Sequence, residues 1–227
     1  MIGSRLHTLL KVLPPLFILC AAQVARGNAL YDVTLNTSAL IGHPAAPFYL
    51  EFQLNDGVGT GDTNNTAVLS NFTFDSGNAV GTPTLTGGAS GDLTTTVTLN
   101  DSTFFNEAYQ EFNPGNTLSF RIDLTTSVDP GPQPDQFSFA IFDCTLSEIP
   151  TLSPANALLA ADINGPTPVM HAYAGDASSA PKCGGNPIYV PAAVVTSVPL
   201  PAAGLLFSAG LMVVQFGARW RAHVAVV

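Results

Sequence analysis

FYLEFQLN, residues 48–55, alternates without a slip. Phe48, Leu50, Phe52 and Leu54 fall on one side, and Tyr49, Glu51, Gln53 and Asn55 on the other. A period of two is that of a β-strand with one buried and one wet face. The same beat runs through TLSFRIDLTT (117–126), with Leu118, Phe120, Ile122 and Leu124 inward and Arg121 and Asp123 outward. It recurs in LTTTVTL (93–99) through Leu93, Val97 and Leu99, and in QFSFAIF (136–142) through Phe137, Phe139 and Ile141. YDVTL (31–35) and VLSNFTF (68–74) read as further strands.

Between the strands lie NDGVGTGDTNN (55–65), DSGNAVGTP (75–83), TGGASGD (86–92), NPGN (113–116) and DPGPQPD (129–135). These are turn chemistry, because Gly and Asn accept positive φ and Pro presets a turn. Short strands with one apolar face and tight turns predict an all-β chain. Its two antiparallel sheets pack face to face as a β-sandwich. Three segments depart from the pattern. STFFNEAYQEF (102–112) places Phe105, Ala108 and Phe112 at helical spacing and predicts a short helix or an irregular crossover. NALLAADI (156–163) reads as an edge strand or a turn of helix. Residues 165–191 are rich in Pro, Gly, Ala and Ser and read as loop, merging into a flexible stalk.

The two ends differ from this middle. The N-terminus has Arg5 and Lys11, an uncharged apolar stretch from Val12 to Ala22, and then small residues. That order is a secretory signal, with Ala25 and Ala29 as candidate last residues and Ala29 favoured. The apolar core is short beside the roughly 20 residues of a full span. Near the C-terminus no charge occurs from Ala202 to Ala218. At helical rise this run covers roughly 25 Å, enough for a thin membrane span. Pro199 and Pro201 precede it, and Arg219 and Arg221 close it on the side expected to stay cytoplasmic.

Residues 30–197 carry all sixteen acidic residues of the chain and only two of its seven basic ones, Arg121 and Lys182, a net charge of −14. Such a surface repels nucleic-acid phosphates and excludes DNA and RNA as partners. It suits divalent cations and polysaccharide hydroxyls, and it keeps an exported domain soluble. With Cys20 inside the signal, Cys144 and Cys183 remain. In an oxidising compartment such a pair is most simply a disulfide, with two free thiols as the alternative.

Chemistry-bearing residues are few. His43 and His171 are the histidines of the middle, and there is no Gly-x-Ser-x-Gly elbow, so nothing assembles a hydrolytic triad or a histidine metal site. Glu51, Glu107, Glu111 and Glu148 are the only glutamates, and two of them in proximity would be needed for a glycosidase. In the 55–65 loop, Asp56, Asp62, Asn64 and Asn65 offer hard oxygens around three glycines. That composition suits Ca²⁺, the one cofactor the residues suggest, although the spacing is not that of an EF-hand. A solvated hairpin loop is the other reading. Tyr49 and Tyr31 are the aromatics available for stacking on a sugar.

Val198-Pro199-Leu200-Pro201, followed by an apolar helix and then Arg219 and Arg221, resembles the PEP-CTERM sorting signal in its VPLPA variant. The resemblance implies recognition by exosortase, a membrane cysteine protease of Gram-negative bacteria with exopolysaccharide systems. It would act on this chain as its substrate, at an inner-membrane stage of sorting. ALYDVTLNTSAL, FYLEFQLNDG, VLSNFTF, STFFNEAYQEF and NTLSFRIDL, in that order, are similar to exported PEP-CTERM proteins of unassigned biochemical activity. That likeness implies a secreted, jelly-roll-like β-domain with no catalytic residues to transfer.

The resulting layout is a signal peptide at 1–29, a β-sandwich at 30–164, a loop and stalk at 165–197, and a sorting signal at 198–227. The expected role is structural or interactive, in the envelope or exopolysaccharide matrix. A carbohydrate-binding module, Ca²⁺-assisted, is the alternative, and a glycosidase stands behind it.

Overall fold

A computed structural model describes residues 27–58 and 61–199. Residues 1–26 of the expected signal peptide (1–29) lie outside the described residues, as do Leu200, Pro201, the apolar C-terminal run, Arg219 and Arg221. Among the described residues no helix is long and apolar enough to cross a membrane.

Among the described residues thirteen strands form in chain order: β1 (Asn28–Asn36), β2 (Phe48–Asn55), β3 (Thr66–Thr73), β4 (Asn78–Ala79), β5 (Thr84–Thr86), β6 (Gly88–Gly91), β7 (Thr96–Asn100), β8 (Phe105–Asn113), β9 (Thr117–Thr125), β10 (Asp135–Phe142), β11 (Leu159–Ile163), β12 (His171–Ala172) and β13 (Val194–Ser197). They make two antiparallel sheets. The first runs β13-β1-β9-β3-β7-β6; the second runs β12-β11-β10-β2-β8-β4, with β5 also on β8. Three antiparallel pairs nest in sequence, β3 with β7, β2 with β8, and β1 with β9. Successive shells of this nest alternate between the sheets, as when a long hairpin is folded over on itself.

The alternation read from the sequence is the alternation of burial. Phe48, Leu50, Phe52, Leu54, Leu118, Phe120, Ile122, Leu124, Phe137, Phe139 and Ile141 are all buried. Their rings meet between the sheets: Phe52 lies 5.0 Å from Phe139 and 5.5 Å from Phe120, and Phe120 lies 5.2 Å from Phe139. Offset and edge-on aromatic pairs of this kind each add about 0.5–1.5 kcal/mol to the area they bury.

Three expectations are corrected. The 102–112 segment is not helical: Phe105–Asn113 is strand β8. Its inward positions are Asn106, Ala108, Gln110 and Phe112, and the two polar ones hid the period of two. Both are buried because they satisfy backbone groups of neighbouring segments, strand ends for Asn106 and loops for Gln110. Asn106 donates to the Leu54 carbonyl (2.9 Å) and accepts from Gly88 N–H (2.8 Å), while Gln110 accepts from Leu93 N–H (2.8 Å) and donates to the Gly81 carbonyl (3.0 Å).

The 165–197 segment is not a free stalk. Ile188, Val190 and Ala193 enter the core, and β13 pairs with β1 from Tyr31–Ser197 to Thr34–Val194. Nor do Asn28 and Ala29 stand apart with the signal, since they are the first two rungs of β1 against β9. In the 156–163 segment the strand alternative is the one formed, as β11.

Cys144 and Cys183 are joined by a disulfide, with their Cα atoms 5.9 Å apart. Asp143 braces the junction by accepting from Cys183 N–H (2.8 Å) and from Thr145 N–H (2.8 Å) and Oγ1 (2.6 Å). Burial works against its charge, but these hydrogen bonds, with one from Ser147, hold its carboxyl below the ordinary range.

Candidate metal centre

Three connections cross from one sheet to the other at the same end of the sandwich. They are 56–65 between β2 and β3, 101–104 between β7 and β8, and 126–134 between β9 and β10. Each brings carboxylates. Asp56, Asp129 and Asp135 each point one oxygen into a common space, and these atoms lie within 4.8 Å of one another. Opposite oxygens around a calcium ion, each at about 2.3–2.6 Å from it, stand about that far apart. Asp56 and Asp135 are buried and Asp129 is half-buried.

Partner hydrogen bonds fix most of these oxygens and leave a few aimed at nothing. Asp135 accepts from Gly57 N–H (2.8 Å) and from the Asn65 side-chain amide (2.7 Å). Asp56 accepts from Gly61 N–H, and Asp129 from the Asn64 side-chain amide. Asp56 Oδ1 and Asp129 Oδ2 have no hydrogen-bond partner, nor do Asp101 Oδ1 and Asn64 Oδ1 at the margin of the group. A buried carboxylate oxygen without a donor is costly, and a cation is the species that satisfies several at once.

The electrostatics agree. Burial pushes the Asp56 carboxyl above its usual range, and the nearby charges of Asp135 and Asp62 push it further. Asp129 is raised by the same two causes, burial first. Asp101 is pushed up to about 7, by burial and then by Asp135, Asp62 and Asp56. No Lys or Arg enters the cluster: of the two such residues among those described, Arg121 is paired with Asp32 at 2.7 Å and Lys182 neighbours the disulfide. A bound divalent cation would reverse the mutual repulsion.

The sequence reading is partly relocated by this geometry. Asp56 belongs to the converging group. Asp62 is exposed and accepts from Asn64, whose amide also reaches Asp129. Asn65 is not free to ligate, because its Oδ1 accepts from Ser127 N–H (2.9 Å) and Thr125 Oγ1 (3.2 Å) and its amide donates to Ser127 O (2.9 Å) and Asp135. Asp129 and Asp135, which complete the group, are the two ends of DPGPQPD, a stretch whose prolines read as turn and nothing more. Two acids bracketing a Pro-rich crossover was the signal available.

Elsewhere, the candidates stand as follows. His43 lies in a turn, with its Nδ1 accepting from Ala45 N–H (3.1 Å), and His171 lies on β12. Tyr31 is buried, its hydroxyl donating to the Pro168 carbonyl, and so offers no exposed ring. Tyr49 is half-buried, with its ring edge-on to Tyr109 at 6.1 Å. Val198, the first residue of the proline motif, donates its N–H to the Leu30 carbonyl (2.8 Å). Pro199 is exposed at the same edge. No family model matches this chain, and neither a curated protein nor a solved structure matches it.

Proposed function

We propose that this chain is an exported structural or interaction protein of a Gram-negative cell envelope or extracellular matrix, whose sandwich is closed at one end by a calcium ion. The convergence of Asp56, Asp129 and Asp135 with unpartnered oxygens is the observation that carries the cation. A cation there would tie two of the crossovers that join the sheets, 56–65 and 126–134, and so act on the stability of the whole domain. Extracellular modules use such sites at high free Ca²⁺, with dissociation constants of about 10⁻⁴–10⁻³ M. The cross-linked cysteines and the acidic surface support the export reading. Sorting by exosortase rests on the likeness of Val198–Pro201, the apolar run and Arg219/Arg221 to the PEP-CTERM signal. The nested strand pairs support the jelly-roll-like wrapping.

Thermal unfolding of the full chain in Ca²⁺ and in EDTA tests the cation. At a hundredfold excess over Kd, binding to the native state alone adds about 2.7 kcal/mol. Identical midpoints in EDTA and at that hundredfold excess, about 10–100 mM Ca²⁺, would sink it. Mass spectrometry of the protein from cells with and without exosortase tests the sorting. A C-terminal peptide containing Trp220 in the delivered form would overturn that part.

A further inference from the structure

The outer face of the second sheet is not a plain solvated surface. Glu51, Gln53 and Asn55 of β2 stand beside Ser138 and Ala140 of β10, and residues 148–157 fold over them with Tyr173 at the side. The result is a groove of about 420 Å³. Its floor is low because the positions there are small: Ser138, Ala140 and Ala160. Glu51, expected on an exposed face, is only 1% exposed, yet its carboxyl lines the groove and its Oε1 has no hydrogen-bond partner. A buried, unsatisfied carboxyl oxygen at the floor of a polar concavity is a place for a ligand donor.

The lining chooses the ligand. Its lining carries the carboxyls of Glu51 and Glu148 and no Lys, Arg or His, so an anionic ligand meets no counter-charge there. Gln53, Asn55 and Gln136 supply amides and Ser138 and Ser153 supply hydroxyls, a mixed set of donors and acceptors spaced for hydroxyl groups. Tyr173 supplies a ring for the apolar face of a sugar. We propose that this groove binds a neutral glycan segment, with Glu51 at its floor accepting or sharing a hydroxyl proton, Gln53 and Ser138 fixing orientation, and Tyr173 as the stacking wall. Burial, reinforced by the charges of Glu107 and Glu148, pushes the Glu51 carboxyl up to about 8, which leaves it a donor as well as an acceptor at neutral pH. The inference goes beyond the cation site and stands without it.

The test is calorimetric titration of the full chain, held in a zwitterionic detergent without sugar headgroups and in Ca²⁺. The probes are short neutral gluco-, manno- and galacto-oligosaccharides, an oligouronate and an amino-sugar oligomer. At least one neutral series should bind, and the oligouronate should bind about tenfold more weakly or not at all, the equivalent of one lost hydrogen-bonded group. Ser138→Trp fills the floor and should abolish binding, while Glu51→Leu, which removes the donor and acceptor at the floor, should weaken it about tenfold or more; unchanged affinity in that folded variant would overturn the proposal. Cooperative unfolding of each variant shows that it is folded. No binding of any neutral oligosaccharide, undiminished binding by folded Ser138→Trp, or preference for the oligouronate or the amino sugar would overturn the proposal. Because this readout uses neither EDTA nor a midpoint shift, it fails independently of the calcium reading.

Discussion

Asn65 donates its side-chain amide to Asp135 at 2.7 Å, joining residues 70 positions apart where two crossovers meet. Its Oδ1 accepts the backbone N–H of Ser127, so one buried amide positions both the carboxylate and the strand end that carries the third acid. Asn65→Ala should therefore do two things. It leaves buried groups unpaired and should cost about 1–3 kcal/mol even in EDTA. It also frees Asp135 to rotate, so the stabilisation by Ca²⁺ should shrink. Denaturant melts in EDTA and in Ca²⁺ separate the two effects. A variant that is destabilised but keeps the full calcium increment would show that Asp135 is not held for a cation.

Direct removal of a ligand gives the opposite signature. Asp56→Asn relieves repulsion in a crowded acidic site that burial already disfavours, so in EDTA it should be neutral or stabilising. In Ca²⁺ the same substitution should lose most of the increment. If Asp56→Asn is simply destabilising under both conditions, the carboxylate is structural and the cation reading fails.

Glu51 makes a prediction about pH. Its folded pKa is raised to about 8 from 4.5, chiefly by burial and then by Glu107 and Glu148. A group raised in the folded state contributes its stability fully below the unfolded pKa and loses it as pH climbs through the folded one. Stability should thus decline between about pH 4.5 and 8 from this group, at no more than about 1.4 kcal/mol per pH unit. Glu51→Gln should flatten that limb and make the variant the more stable protein at pH 8 and above. Parallel slopes for the two proteins would contradict the burial.

The strands with clean alternation were legible because each of their inward residues is apolar: Phe48 to Leu54 and Leu118 to Leu124 needed no partner to be understood. β8 was not, because Asn106 and Gln110 sit inward to satisfy a carbonyl of β2 and an amide of the 92–95 turn, which no local window reveals. β12 and β13 were missed for a related reason. Short edge strands take their register from the neighbour, here β11 and β1, rather than from a pattern of their own. At the candidate site, the 55–65 loop supplied one of the three converging acids, Asp56. Asp129 and Asp135 were invisible because their approach to Asp56 depends on two crossovers landing at the same end of the sandwich.

The disulfide closes a long loop, Cys144 to Cys183 with a separation of 39. The chain-entropy model gives about 4 kcal/mol for a loop of that size. Reduction should lower the denaturant midpoint accordingly. Alkylation by a thiol reagent should occur at Cys144 and Cys183 only after reductant is added. Two thiols that react in the untreated exported protein would remove the support that the pair gives to an oxidising compartment.

The first rungs of β1 bear on where the proposed signal would be cut. Asn28 and Ala29 pair with Thr125 and Leu124, Asn28 donates its side-chain amide to Asp123 (2.8 Å), and Thr126 donates both its N–H (3.1 Å) and its hydroxyl (2.7 Å) to the Gly27 carbonyl. Cleavage after Ala29 would strip all of these and expose the end of β9. Cleavage after Ala25 keeps them. Each hydrogen bond is worth about 0.5–1.5 kcal/mol net, so the shorter form should be less stable by a few kcal/mol. The N-terminal peptide of the exported protein should accordingly begin at Arg26, and a version begun at Leu30 should melt earlier. An exported protein that starts at Leu30 and melts with the longer form would mean that β1 gains nothing from its first two residues.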